Sequence, residues 1–186
     1  MKAKRIILIS MFSAMIAVGA FIKIPIPFCP ITLQILFVTL AGVLLGGRDG
    51  ALSVAVYVAL GLMGVPVFTG GGGISYVLQP TFGYLVGFIA NAYVTGKICH
   101  NGAATFKRLF AGSIAGIIFA FAIGTAYNLC ITFLYLKSTA AVLTVLLHCF
   151  LPFPGDVALC IFTAALGKRI LPIIRKDEIN GNAKTC

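Results

Sequence analysis

The 186 residues are 60% hydrophobic and 10% charged, with a mean hydropathy of +1.09, whereas soluble globular chains are roughly 25% charged. That excludes an ordinary soluble domain, and the length leaves no room for a nucleotide-hydrolysing domain beside a membrane one. The basic balance, 14 Lys and Arg against 4 Asp and Glu, would point to nucleic acid in a soluble protein, but here the cations sit between long apolar runs and read as orientation in a bilayer.

A spanning helix needs about 20 apolar residues. The first runs from Ile6 to Ile22, between Arg5 and Lys23. It carries the small residues Ser10, Ser13, Ala14, Ala17 and Ala20, close to four apart, a pattern that lets another helix approach closely in lipid. A partner helix and packing within the bundle explain that pattern equally well. Its basic start and the small residues Gly19 and Ala20 also resemble a signal peptide, an alternative that the charge partition below disfavours. Pro25, Pro27 and Pro30 cannot continue a helix, so the second span begins near Ile31. Gly46-Gly47-Arg48-Asp49-Gly50 is a tight turn into a third span, Ala51 to Gly64, and both of these spans are short. Pro66 to Pro80, with Gly70 to Gly73 inside it, is a long loop.

The fourth span runs from Thr81 to Lys97 and the fifth from Leu109 to Leu136. Thr139 to Phe150 reads as a short helix, ended by Pro152-Phe153-Pro154-Gly155. The sixth span begins at Asp156 and ends near Lys168-Arg169. The expected architecture is an all-α membrane protein of six transmembrane helices. Residues 1–174 form a single domain, followed by a polar, disordered cytoplasmic tail, 175–186. Six spans put both termini on one side, and that side collects every Lys and Arg except Lys23 and Lys137. The positive-inside rule therefore predicts cytoplasmic N- and C-termini.

Motifs for energy-driven or covalent chemistry are missing. Gly42 and Gly47 have the spacing of a phosphate-binding loop, but Arg48 and Asp49 follow where lysine and a hydroxyl residue are needed. His100 and His148 fall on opposite sides of the membrane, and the six cysteines contain no Cys-x-x-Cys pair. No metal site, and no cofactor, is expected. Cys29 and Cys149 both fall on the outer side, where pairing is open.

One carboxylate stands apart from the cytoplasmic side. An aspartate within a membrane helix costs roughly 2.5 to 3.5 kcal/mol on insertion scales, so it usually faces a cavity or a partner. Asp156 therefore reads as a ligand-binding acid, or as the N-cap of the sixth helix after Pro154-Gly155. The glycine run ending at Gly73 can approach a ligand closely or hinge a lid, and plain flexibility explains it as well. Thr32, Gln34, Gln79, Thr81 and Tyr84 converge at the external mouth of the bundle, where a neutral-to-anionic small molecule would dock. Asn91 lies two turns deeper, as a further binding residue or as interhelical glue.

Three blocks resemble a known family. They are Pro27-Phe28-Cys29-Pro30-Ile31-Thr32-Leu33-Gln34 with the apolar run to Gly46; Gly61 to Phe68 and the glycine tract with Pro80-Thr81-Phe82-Gly83-Tyr84; and Leu151-Pro152-Phe153-Pro154-Gly155-Asp156. Together they are similar to the biotin-specific substrate-binding subunits of energy-coupling-factor vitamin transporters, called BioY. Two departures stand out. The family usually has a lysine three residues after the aspartate, where this chain has Leu159, and a second glycine where this chain has Phe82. The resemblance implies a six-helix binder without enzymatic activity, in the bacterial plasma membrane. It further implies an energy-coupling transmembrane protein and two ABC-type ATPases as partners, the former docking on Ser10, Ser13, Ala14 and Ala17. Biotin is the implied ligand, with Asp156 accepting its ureido hydrogens. Another vitamin on the same scaffold, thiamine or riboflavin, and a membrane-embedded enzyme using Asp156 are the alternatives.

Overall fold

The computed structural model describes residues 2–24, 31–135 and 142–183. Its helices are α1 (Lys2–Phe21), α2 (Gln34–Leu45), α3 (Gly47–Leu62), α4 (Phe82–His100), α5 (Phe106–Cys130), α6 (Val142–Phe150) and α7 (Phe153–Ala183). A π turn, Ile131–Tyr135, prolongs α5. The predicted spans correspond to α1 to α5 and α7, and the predicted short helix to α6. Three stretches are long and apolar enough to cross a membrane, Ala3–Phe21, Phe106–Tyr135 and Phe153–Ile174. Large apolar side chains, among them Ile7, Val18, Ile118, Phe119, Ile161 and Phe162, are exposed on α1, α5 and α7, as faces turned to lipid must be.

The short α2 is the centre of the bundle. Nearly every one of its residues is buried, and it contacts α1, α3, α4 and α7. A helix apolar all round belongs in an interior. Its 12 residues reach about 18 Å at 1.5 Å each, well short of the roughly 30 Å hydrocarbon core. Because longer neighbours sheathe it, α2 need not span the bilayer by itself.

Packing against α2 and α4 is close because glycines remove side chains at the crossings. A β-carbon at Gly42 would lie 2.5 Å from the Ala92 carbonyl oxygen, and one at Gly87 would lie 2.6 Å from that of Ala120. Between α4 and α5 the fit is reciprocal: Tyr84 covers Gly124, and Tyr127 covers Gly83. Small residues at such spacing let backbones approach where lipid gives no hydrophobic drive between helices. Gly87→Ala is expected to destabilise the detergent-solubilised protein by roughly 1–3 kcal/mol, since a backbone carbonyl cannot swing aside as a side-chain tip can. A thermal melt compared with the outward-facing Ala111→Gly would check it.

Several buried polar groups are satisfied within the bundle. Thr39, Ser113 and Thr163 donate to the carbonyls of Ile35, Leu109 and Leu159, four residues earlier. Asn91 Nδ2 donates to Thr39 Oγ1 at 3.2 Å. Its Oδ1 lies 3.0 Å from Thr95 Oγ1, which is also 3.1 Å from the Gly112 carbonyl. This chain of bonds joins α2, α4 and α5.

Several expectations are corrected. The Gly46–Gly50 turn shrinks to Gly46 alone, whose φ of +85° is easy only for glycine, and α3 starts at Gly47. A two-residue antiparallel ladder, β1 (Lys23–Ile24) with β2 (Ile31–Thr32), follows α1, a pairing that helical periodicity does not announce. Pro152–Gly155 does not separate a helix from Asp156. Instead Phe153, Pro154 and Gly155 form the first turn of α7, where the missing proline amide has no helical partner to lose. The tail is helical to Ala183 rather than disordered, its Lys, Glu and Ile being compatible with extending a helix already nucleated. Cys29 and the proline cluster lie outside the described residues.

Candidate functional site

Three helices begin at the same end of the bundle. Thr39 meets Asn91 and Gly42 meets Ala92, so α2 and α4 run in the same direction. Gly167 meets Leu109 and Phe153 meets Phe121, so α7 runs against α5. Gly83 meets Tyr127 and Gly112 meets Cys99, so α5 runs against α4, and α7 therefore runs with α2 and α4. Running back equally far along each helix reaches Gln34 on α2, the Tyr84–Leu85 turn on α4, and the turn from Asp156 to Leu159 on α7. The sequence-predicted residues Thr32, Gln34, Gln79, Thr81, Tyr84 and Asp156 therefore share one end of the molecule.

Asp156 is 5% exposed. The Asp156 amide donates to the Pro152 carbonyl at 3.1 Å, so α7 is under way before Asp156 is reached, and the aspartate does not cap it. Its carboxylate has no hydrogen-bond or ion-pair partner among the described residues. Leu159, one turn on, is half-buried against the apolar core and supplies no cation. Above this turn lies an aromatic wall. Phe121 meets Phe153 edge-on at 5.5 Å, Tyr84 edge-on at 5.9 Å and Phe150 in a stack at 5.9 Å.

Gln34 is 3% exposed. Its Nε2 is wholly shielded from solvent and has no hydrogen-bond partner among the described residues. It lies beside the Tyr57 hydroxyl, which itself donates to the Val67 carbonyl at 3.2 Å. An unmet donor of this kind typically costs about 1–3 kcal/mol. Among the described residues, an unmet donor and an acid without a partner thus stand at the same end of the bundle.

The loop over this end is packed rather than slack. Phe68 and Gly71 exchange backbone bonds of 2.9 and 3.1 Å, and Gly73 donates to Gly61 at 2.7 Å. Gly71 and Gly73 have φ of +116° and +106°, which glycine adopts without strain. The buried Phe68 ring is clamped between Tyr57 and Tyr76, at 5.5 and 4.7 Å, in space that a side chain at Gly61 would fill. A 3-10 helix, Ile74–Leu78, follows, and Tyr127 holds it by donating to the Val77 carbonyl. Thr81 reaches the Tyr76 hydroxyl at 3.4 Å, while the exposed Gln79 lies near Gly70. Phe68, Tyr57, Tyr76 and Tyr127 were not among the sequence-predicted site residues. The only signal available was an aromatic residue on either side of the glycine tract.

Other predicted residues sit elsewhere. Asn91 is fully buried between α2 and α5, with both polar atoms used within the bundle. The small residues of α1 do not share one face: Ser10 and Ala14 are exposed, Ser13 is buried, and Ala17 is half-buried against the core. Tyr84 places its hydroxyl 3.4 Å from Thr125 Oγ1.

The chain is similar to known proteins in sequence and in fold. The model of the BioY family matches residues 1–176. The chain is 45% identical over 172 residues to the "Probable biotin transporter BioY" of Lysinibacillus sphaericus, covering 91% of this chain and 88% of that one. It is 42% identical over 122 residues to the biotin transporter BioY of Thermotoga maritima, covering 65% of this chain and 72% of that one. Its fold superposes with a TM-score of 0.77 and 29% identity on the crystal structure of the S-component for biotin from an ECF-type ABC transporter, over 91% of both chains.

Proposed function

The chain belongs to the BioY family, and from that membership we propose that it is the substrate-capturing subunit of an energy-coupling-factor importer and that its substrate is biotin. It is a binder, not an enzyme. The relatives named as biotin transporters and the likeness to a biotin S-component support the substrate. Within the chain, the observation that carries the reading is the buried Asp156, without a partner among the described residues, at the same end as the unmet amide of Gln34.

Biotin matches these two groups. Its ureido ring offers two N–H donors to the Asp156 carboxylate, in charge-assisted bonds of about 1.5–3 kcal/mol. The ureido oxygen accepts from Gln34 Nε2, which takes over as donor where Leu159 replaces the usual lysine. Tyr84, Phe121 and Phe153 cover the apolar ring and chain, as most small-molecule sites are largely apolar. The loop carrying Gly73, with Gln79, Thr81 and Thr32 at its margins, forms the lid.

Charge distribution supports the orientation. The Asp156 end faces outward and both termini lie in the cytoplasm of a bacterial cell, where Lys and Arg accumulate. Transport then depends on an energy-coupling transmembrane protein and two ABC-type ATPases. The exposed Ser10 and Ala14 of α1 offer that protein a close approach. Thermal melts of the purified chain with biotin, thiamine and riboflavin test the substrate, because only a true ligand stabilises by mass action. Biotin is expected to raise the midpoint and the others to leave it unchanged. Stabilisation by thiamine or riboflavin without a response to biotin overturns the assignment.

A further inference from the structure

The end of the bundle opposite Asp156 holds a concave cavity of about 670 Å³ that the capture of a vitamin does not use. It lies where α2 turns into α3 and where α4 ends, and its wall includes Arg5, Arg48, Asp49, Lys97 and His100. The carboxylate is already spoken for: Arg5 Nε donates to Asp49 Oδ2 at 2.6 Å, and Arg5 Nη2 to Oδ1. This is the one ion pair among the described residues. Arg48 and Lys97, both exposed, have no anionic partner among them. Lys97 Nζ stands 5.9 Å over the Tyr93 ring, which leaves its three hydrogens free for an anion.

Backbone and ring geometry add donors on the same wall. The first α-helical bond of α3 is Gly50 N–H to the Gly46 carbonyl, 2.9 Å. The amides of Gly47, Arg48 and Asp49 precede it and have no helical acceptor. His100 is held at the rim by donating Nε2–H to the Val43 carbonyl at 2.9 Å. A guanidinium fork, an ammonium and first-turn amides around one hollow are the donor set of a phosphate site.

We propose that this cavity binds a phosphate group, carried by the headgroup of an anionic phospholipid or by a soluble phosphate. The hollow lies at the end of the bundle, and its charged and backbone donors match the oxygens of a phosphate. The site is independent of biotin capture at the other end, so biotin binding serves as the control.

The test uses the full chain purified in neutral detergent, with Arg48→Gln/Lys97→Gln as the variant and Arg48→Lys as a second that keeps the charge but loses the fork. Short-chain phosphatidylglycerol is titrated against phosphatidylcholine by native mass spectrometry. Inorganic phosphate and glycerol phosphate are titrated by thermal shift. Wild type is expected to prefer phosphatidylglycerol over phosphatidylcholine by tenfold or more, the double variant to lose that preference, and Arg48→Lys to fall between them. Biotin affinity is expected to stay the same in all three, which also verifies their fold. Loss of the lipid preference without a response to inorganic phosphate identifies the lipid headgroup. Stabilisation of wild type alone by inorganic phosphate, with no lipid preference, identifies the soluble source. Equal binding of every phosphate probe by wild type and double variant overturns the proposal. That same result, with loss of assembly with the coupling protein in the variant, assigns the cations to a protein contact instead.

Discussion

Asp156→Asn is expected to weaken biotin binding by about 10- to 100-fold, read by titration calorimetry on the detergent-purified chain. A charge-assisted hydrogen bond contributes about 1.5–3 kcal/mol, and each 1.4 kcal/mol is a tenfold change in affinity. The substitution keeps the size of the side chain but removes the charge and replaces one acceptor oxygen by a donor amide. One of the two ureido N–H groups then faces another N–H, and the buried mismatch adds to the lost attraction. Stability without ligand is expected to hold or rise, because the carboxylate is 5% exposed and its charge is no longer stranded in an apolar surrounding. An unchanged dissociation constant would remove Asp156 from the site.

Gln34→Leu is expected to act in opposite directions on stability and affinity. Nε2 is buried without a partner, so an apolar side chain of similar volume relieves a desolvation penalty of about 1–3 kcal/mol. The ligand-free melting midpoint should rise. Biotin affinity should fall by about tenfold or more, since the ureido oxygen would lose its donor and remain buried. A purely structural glutamine would show loss of stability with affinity intact. Measuring both quantities on one preparation separates the two roles. Gln34→Glu, which presents an acceptor to an acceptor, should lower affinity further.

The two positions differ in how visible they were before any fold was known. Asp156 stands out in the sequence because it is a lone acid in a long apolar interval, and a charge in lipid needs a reason. Its companion role as a helix cap was also legible but did not hold. A proline in the first turn of a helix looks, in sequence, like a proline that ends the preceding one. Gln34 was legible only as one of several polar residues near helix ends. Thr39 and Asn91 are just as polar, and the structure pairs them with each other, while Gln34 is left over. The distinction is between a satisfied and an unsatisfied hydrogen bond, a property of three dimensions.

The loop teaches a similar lesson. Four consecutive glycines read as slack or as a hinge, because a glycine's freedom is visible and its surroundings are not. In the fold, Phe68 is seated between Tyr57 and Tyr76, and Tyr127 reaches across from α5 to the 3-10 helix. The glycines there make room for rings and tight turns. Likewise the small residues of α1 form a plausible ridge on paper, but neighbours bury Ser13 and leave Ser10 and Ala14 outside.

By itself the sequence determined a multi-pass, all-helical membrane protein, the order and approximate ends of its helices, and an acid placed where lipid would not tolerate it idly. These follow from local composition, because hydrophobicity, charge and proline act over a few turns of chain. Only the tertiary structure decided that α2 is sheathed at the centre, that α2, α4 and α7 start together, and that Gln34 and Asp156 stand at that shared end without a partner among the described residues. Those outcomes depend on which side chains meet across helices far apart in sequence, and hydrogen-bond satisfaction is settled only when every neighbour is in place.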